Sequence, residues 1–365
     1  MLRSMAGCVN RWLLAGAMLP LALQAQTADD LERCRSIPEP SARLACYDAA
    51  AAAAAARAGS KVPDSSAAAS VPAVDEGRRA PGAQLVATGS LEGDQSLIAQ
   101  RWELEDRYKA GTFRFTFYRP NYILPAVWST NVNDAPSTPT QPTYVPPGPL
   151  DQTEAEFQLS FKLKLWQDIL GGRSALWLGY TQRSFWQIYN EDLSRPFRET
   201  NYEPEIFVSY NPALSFAGLD WRLLNLGYNH QSNGRSDPIS RSWDRVIAEL
   251  GIERGDFAVL IRPWVVIDEG GNDNPDITDY MGWGDVTATY KWEGHSFTLM
   301  GRGNPDTGKG TVQFTWMSPP VLGPLRAYVE AFSGYGDSLI DYNWYQNTIG
   351  IGVSLNDYLD RPGRP

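Results

Sequence analysis

His230, Ser232 and Asp244 are the residues of this chain whose types and spacing could do chemistry. A serine hydroxyl is a weak nucleophile until an imidazole takes its proton, and a third group then holds the imidazole in place. All three lie in the stretch Tyr228 to Arg245, YNHQSNGRSDPISRSWDR, and His230 is one of only two histidines in the chain. An H-x-S pair alone is a weak signal, because two ordinary surface residues would look the same. The flanking pattern separates the readings.

Leu224, Leu226, Tyr228, His230 and Ser232 share one parity, and Asn225, Gly227, Asn229 and Gln231 the other. A strand sends alternate side chains to opposite faces, so His230 and Ser232 project side by side from a face of Leu, Leu and Tyr. After the turn, Asp244, Val246, Ala248, Leu250 and Ile252 again share a parity, opposite Arg245, Glu249 and Glu253. The intervening NGRSDP is turn chemistry: Asn-Gly tolerates positive φ, and Pro238 cannot donate to a ladder. The two runs form an antiparallel hairpin with Ser, His and Asp near one end of one apolar face.

Hydrolytic groups on the apolar face and charges on the other reverse the order of a soluble enzyme. They match a transmembrane β-barrel, apolar outside and polar inside. A nucleophile that faces lipid points to a lipid substrate.

Taken in order, the chain opens on a signal peptide, residues 1–25: Arg3 and Arg11 precede an apolar run from Trp12 to Leu23, too short to span a bilayer as a helix. Its removal takes Cys8 and leaves Cys34 and Cys46, which an exported chain is expected to join in a small helical disulfide module over 26–52. Residues 53–96 are rich in Ala, Ser, Pro and Gly and read as a linker. From residue 97 the composition turns aromatic, and a barrel domain is expected over 97–359, with a polar tail at 360–365.

Twelve strands are predicted: Thr112–Leu124, Glu154–Trp166, Ala175–Tyr189, Asn201–Asn211, Asp220–Ser232, Arg241–Glu253, Phe257–Ile267, Tyr280–Trp292, Ser296–Arg302, Gly310–Met317, Arg326–Ser333 and Trp344–Leu355. The even number suits a single-chain bacterial barrel, and 13 Trp and 17 Tyr suit aromatic girdles at the two interfaces. The Pro-rich segment Trp128–Gln152 reads as a loop, Glu199, Tyr202, Glu205, Arg245 and Glu249 as polar barrel interior, and His295 as a surface residue of the turn WEGHS. A formal charge of −10 argues against nucleic-acid binding. A soluble β-sandwich would also alternate, but has no need of charges behind every greasy face.

GYNHQSNGRSDPISRSWDR (227–245) resembles the core signature of the outer-membrane phospholipase A family. YTQRSFWQ (180–187), RPFRETNYEPEIF (195–207), NDNPDITDYMG (272–282) and SGYGDSLIDYN (333–343) are similar to further stretches of that family, and the resemblance spans Asp151 to Leu359. It implies an all-β, twelve-stranded antiparallel barrel in the outer membrane. It implies calcium-dependent hydrolysis of the acyl esters of phospholipids and lysophospholipids (A1 and A2 activity) by a homodimer. Carried onto matching positions, it makes Ser232 the nucleophile, His230 the base and the Gly234 backbone N–H an oxyanion donor. The Arg235 carbonyl and the Ser240 hydroxyl become calcium ligands, completed by Ser194 from a partner chain, with Asp237 and Asp273 at a second, looser site. Gln182 maps to the dimer interface. Asp244 departs from the pattern, since the family often has asparagine there; a carboxylate orients an imidazole equally well.

Two other classes compete with a dimeric lipid hydrolase. A passive barrel or porin would have no reason to turn His and Ser to lipid. An assembly or anchoring protein would bind a partner through the Cys34–Cys46 module and keep a vestigial site. The polar tail after NDYL (356–359) is unusual, because outer-membrane barrels commonly end on an aromatic or apolar residue.

Overall fold

A computed structural model describes Cys34, residues 37–39, 41–47, 49, 96–267 and 273–360. The expected signal peptide, nearly all of the linker and residues 361–365 of the tail lie outside these. The chain divides into two units, at residues 84 and 85. In the first, Cys34 and Cys46 are joined by a disulfide with a Cα–Cα distance of 5.5 Å. Residues 41–47 are helical. The Glu39 carboxylate accepts the Ser41 and Ala42 N–H groups at 3.1 and 2.7 Å, which satisfies donors that a helix start leaves open.

The second unit is a closed β-barrel. Its strands are β1 (Phe115–Phe117), β2 (Tyr122–Ser129), β3 (Thr153–Gln167), β4 (Ser174–Trp186), β5 (Phe197–Tyr210), β6 (Leu214–Phe216), β7 (Leu219–Ser232), β8 (Ser242–Arg254), β9 (Phe257–Val266), β10 (Gly284–Trp292), β11 (His295–Asn304), β12 (Lys309–Leu322), β13 (Leu325–Tyr335) and β14 (Tyr345–Ser354). Neighbours pair antiparallel, β14 returns to β2, and β3 pairs with both β2 and β4, which closes the ring. The short β1 continues β2 along β3, and β6 continues β5 along β7, so the barrel has twelve staves.

The first stave is broken where the sequence suggests one strand over Thr112–Leu124. Pro120 has no N–H to give the ladder. The Asn121 side chain takes its place, donating to the Ser160 carbonyl at 2.9 Å and accepting the Ser160 N–H at 2.7 Å. Other ends move by a few residues: Trp128 and Ser129 belong to β2 rather than to the loop, and the last strand stops at Ser354.

Burial follows period two around the ring. Leu159, Leu178, Ile206, Leu226, Val246, Val286, Leu299, Ile349 and Ile351 stand exposed on the outer face, whereas Glu156, Lys162, Glu203, Arg245, Glu249 and Glu330 are buried. Most of these buried charges are paired, as Arg119 is with Glu203 at 2.7 Å, Arg183 with Glu156 at 2.5 Å and with Asp337 at 2.9 Å, and Arg262 with Glu205, whereas Lys162 donates to the Arg101 carbonyl at 2.7 Å. Removing one partner of such a pair strands a charge, at about 3–5 kcal/mol. Tyr202 departs from the sequence reading. Its neighbours Asn201 and Glu203 are buried, so Tyr202 falls on the outer parity and is exposed.

Apolar clusters stop both ends of the lumen. At the short-turn end, a one-turn helix (Leu97–Arg101) brings in Leu97, Ile98, Trp102 and Leu104, which pack with Trp177, Phe207 and Leu359. NDYL therefore folds back as an inner plug instead of ending a strand. At the long-loop end, Trp243, Trp264, Ile277, Met281, Leu339 and Tyr342 cluster. His295 opens β11 opposite Trp292, and its ring stacks on Trp292, Phe297 and Trp316 at the short-turn rim. It is a member of an aromatic girdle rather than a turn residue. Short turns face the periplasm and long loops the exterior in such barrels.

Candidate active site

The β7–β8 hairpin pairs His230 with Asp244, and Ser232 with Ser242. The two strands end at the long-loop rim, with residues 233–241 as their connection. Period two turns His230, Ser232 and Asp244 outward alongside Leu226, Tyr228 and Val246. The last three are exposed on the lipid-facing surface.

His230 Nδ1 lies 2.7 Å from Asp244 Oδ1. An ionised carboxylate only accepts hydrogen bonds, so Nδ1 carries the proton and Nε2 is left as the basic nitrogen. Ser232 stands two residues along the same face. Its hydroxyl has no hydrogen-bond partner among the described residues, and catalytic contacts of this kind commonly tighten only with substrate in place.

Gly234 has φ +63°, and a Cβ there would stand 3.2 Å from the Tyr202 ring. The left-handed conformation and the close ring both favour glycine at this position, two residues after Ser232. Arg235 ties the connection to β5, donating to the Phe197 and Arg198 carbonyls at 2.9 and 3.0 Å.

Ser240, Asp237 and Asp273 come together, although 273 lies on another loop. Ser240 Oγ donates to Asp273 Oδ2 at 2.5 Å. Gln141, from the Pro-rich loop, donates through Nε2 to Asp237 Oδ1 at 2.9 Å and to Asp273 Oδ1 at 3.5 Å. Ser194 lies exposed in the β4–β5 connection with φ +60° and makes no hydrogen bond to this group.

Gln182 faces outward on β4, opposite the exposed Leu159 and Tyr202. It accepts from Tyr180 Oη at 3.1 Å and donates to Ser184 Oγ at 3.2 Å, forming a polar strip on an apolar surface.

The sequence reading missed two residues that shape this site. One is Gln141, which no local pattern distinguishes. The other is Asn233, read only as half of an Asn-Gly turn. Its parity is opposite to that of Ser232, so its side chain turns inward and is 3% exposed. There Oδ1 accepts the Arg235 N–H at 3.2 Å and the Arg241 N–H at 3.0 Å, while Nδ2 donates to the Ile239 carbonyl at 2.8 Å. One amide thus pins both sides of the connection that carries Gly234, Arg235 and Ser240. Asn233→Ala is expected to lower kcat about tenfold to a hundredfold with the barrel still assembled, because misplacing reacting groups by about 1 Å costs that much. Steady-state kinetics on a variant that keeps its heat-modifiable gel mobility checks this.

Fold and site together define a class: an outer-membrane β-barrel with a Ser–His–Asp set on its lipid-facing surface. The family pattern described as phospholipase A1 matches residues 98–355, and the chain belongs to that family. A protein of Neisseria meningitidis serogroup B described as a putative phospholipase A1 is 37% identical over 95% of this chain and 96% of its own length. Phospholipase A1 of Escherichia coli is 46% identical over 56% of this chain and 70% of its own. Among solved structures, the outer membrane phospholipase dimer of Salmonella typhi with bound calcium has a TM-score of 0.64 at 38% identity, covering 72% of this chain and 98% of that one. Outer membrane phospholipase A from E. coli gives 0.62 at 39%, covering 67% and 99%.

Proposed function

We propose that this member of the phospholipase A1 family cleaves the acyl esters of membrane phospholipids at the outer wall of its barrel, with Ser232 as nucleophile, His230 as general base and Asp244 as the group that orients the base. The observation that carries this is the 2.7 Å His230–Asp244 contact, two residue pairs from Ser232, on a face that otherwise meets lipid. The acyl ester of a phospholipid lies at the depth of such a rim, and its chains would run down the apolar wall.

Ser232 Oγ attacks the ester carbonyl as His230 Nε2 takes its proton. The oxyanion lies against the Gly234 N–H. Collapse expels the lysophospholipid alkoxide, which leaves with the proton from His230. Water, deprotonated by the same imidazole, then attacks the acyl-serine, and the fatty acid departs as Ser232 regains its proton.

The donor set near the site is oxygen-rich and doubly anionic, which suits a hard cation. Calcium, which the Salmonella typhi relative is described as binding, would be held by the Arg235 carbonyl, Ser240 Oγ and the partner subunit's Ser194. Asp237 and Asp273 would form a second site. Bound there, the cation would add positive charge beside the developing oxyanion.

The described dimer of that relative supports a homodimer here, and Gln182 stands on the outer wall where a second copy would meet it. Polar contacts between membrane segments contribute about 1 kcal/mol, so Gln182→Ala is expected to weaken self-association in detergent about fivefold. Sedimentation equilibrium of wild type and variant measures it; an unchanged constant would remove Gln182 from the interface.

The porin reading has no support in the lumen, which is crossed by ion pairs, stopped at both ends and left with a cavity of about 190 Å³. Fatty-acid release from phospholipid micelles by the wild type, and its loss in Ser232→Ala, tests the proposed reaction.

A further inference from the structure

The phenol of Tyr228 donates to Asp244 Oδ1 at 2.7 Å. That oxygen also meets His230 Nδ1, at the same distance. We propose that Tyr228 is a positioning residue of the hydrolytic set: its O–H stabilises the Asp244 carboxylate on the lipid-facing wall and holds Oδ1 where it orients the His230 ring. This rests on the assignment of Ser232, His230 and Asp244 made above.

The register makes the contact possible. Tyr228 pairs with Val246 and His230 with Asp244, so Tyr228 and Asp244 are diagonal neighbours on one face. Diagonal Cα positions in an antiparallel pair stand about 7–8 Å apart, within reach of a long aromatic side chain. Phenylalanine would span the distance and pack alike, but it has no donor.

Asp244 needs that donor. A carboxylate on an apolar wall is costly unless it is hydrogen-bonded. Its own strand gives it no hydrogen bond, because Arg245 takes the opposite parity, acts on it only through its charge, and is committed inside to Asn229 and Glu203. On the other flank, β9 presents Val265, and the Ile267 N–H goes to the Asp244 backbone carbonyl rather than to its carboxylate. Among the described residues, Tyr228 and His230 are the side chains that donate to it. Both bonds run to an ionised acceptor and are charge-assisted, so the Tyr228 O–H and the His230 N–H share the anchoring of the carboxylate.

This role depends on residue 244 being an acid. With asparagine there, no charge has to be stabilised, and a neutral hydrogen bond contributes roughly half as much or less. The experiment is a double-mutant cycle in the full-length protein, at saturating calcium, on a phospholipid in detergent micelles. Tyr228→Phe, Asp244→Asn and the pair are measured for kcat and KM, with Ser232→Ala as control. Tyr228→Phe is expected to lower kcat about tenfold with little change in KM, the effect of losing one bond to a charged group. In the Asp244→Asn background the same change is expected to cost about threefold or less. A cost equal in both backgrounds would make Tyr228 a packing residue and overturn the proposal, as would no cost in either. Hydrolysis that survives Ser232→Ala would overturn the underlying assignment and the proposal with it. Heat-modifiable mobility of each variant shows that the barrel is intact.

Discussion

Ser232→Ala is expected to lower phospholipid hydrolysis by about 10⁴-fold or more while leaving the barrel intact. The size follows from the role proposed for the hydroxyl: without that nucleophile no acyl-enzyme forms, and the oxyanion donor and lipid binding alone supply only a residual rate. The structural cost should be slight, because Ser232 is half-buried on the outer wall and its hydroxyl makes no hydrogen bond to a described residue. Thermal unfolding and gel mobility should therefore match the wild type. KM should also stay near its wild-type value, since the apolar wall proposed to receive the acyl chains is unchanged. The measurement is fatty-acid release from phospholipid micelles by refolded protein. A variant that keeps a tenth of the activity would show that another nucleophile does the work.

Chelation is the second large effect. EDTA is expected to reduce hydrolysis by about 10² to 10³-fold, and added calcium to restore it. Oxyanion stabilisation is worth roughly that factor when one donor is lost. Ser240→Ala should raise the calcium concentration needed for half-maximal activity. Its hydroxyl now bonds to Asp273, so the same change also loosens the link between the two loops. Isothermal titration of calcium separates the effects, because it reads cation affinity without turnover. Activity that ignores EDTA, together with the absence of measurable calcium binding, would remove the cation from the mechanism.

The two expectations test different parts of the site. The proposed nucleophile, base and orienting acid come from one hairpin, whose pairing is local. The oxygen cluster comes from three connections, 130–152, 233–241 and 267–283, that meet only when the ring is closed. Substitutions in the hairpin should act on kcat directly. Substitutions at Gln141 or Asp273 should act through calcium.

What the sequence determined by itself was the side on which each strand residue falls, and hence the class of protein. A strand alternates its side chains whatever it packs against, and a bilayer demands apolar residues outward, so Leu226, His230 and Ser232 could be placed on the lipid face from parity alone. That His230 and Asp244 share one end of one face was legible too, because a connection with Asn-Gly and Asp-Pro joins two runs of clear period; their direct pairing was decided by the register. Parity failed at Tyr202, where the reading counted from Glu199 to Glu205 without keeping the step of two. It was silent about His295, because a Gly-containing turn looks the same whether the next residue leaves the sheet or begins a strand. Only the tertiary structure decided which loops meet. Gln141, Asp237 and Asp273 are separated by long stretches of chain, and no periodicity links residues in different connections. The same holds for Asn233, whose neighbours are backbone groups, and for Leu359, which follows β14 back into the lumen. Those contacts follow from closing the ring: once β3 pairs with both β2 and β4, the rims bring distant segments together, and their chemistry follows from where closure puts them.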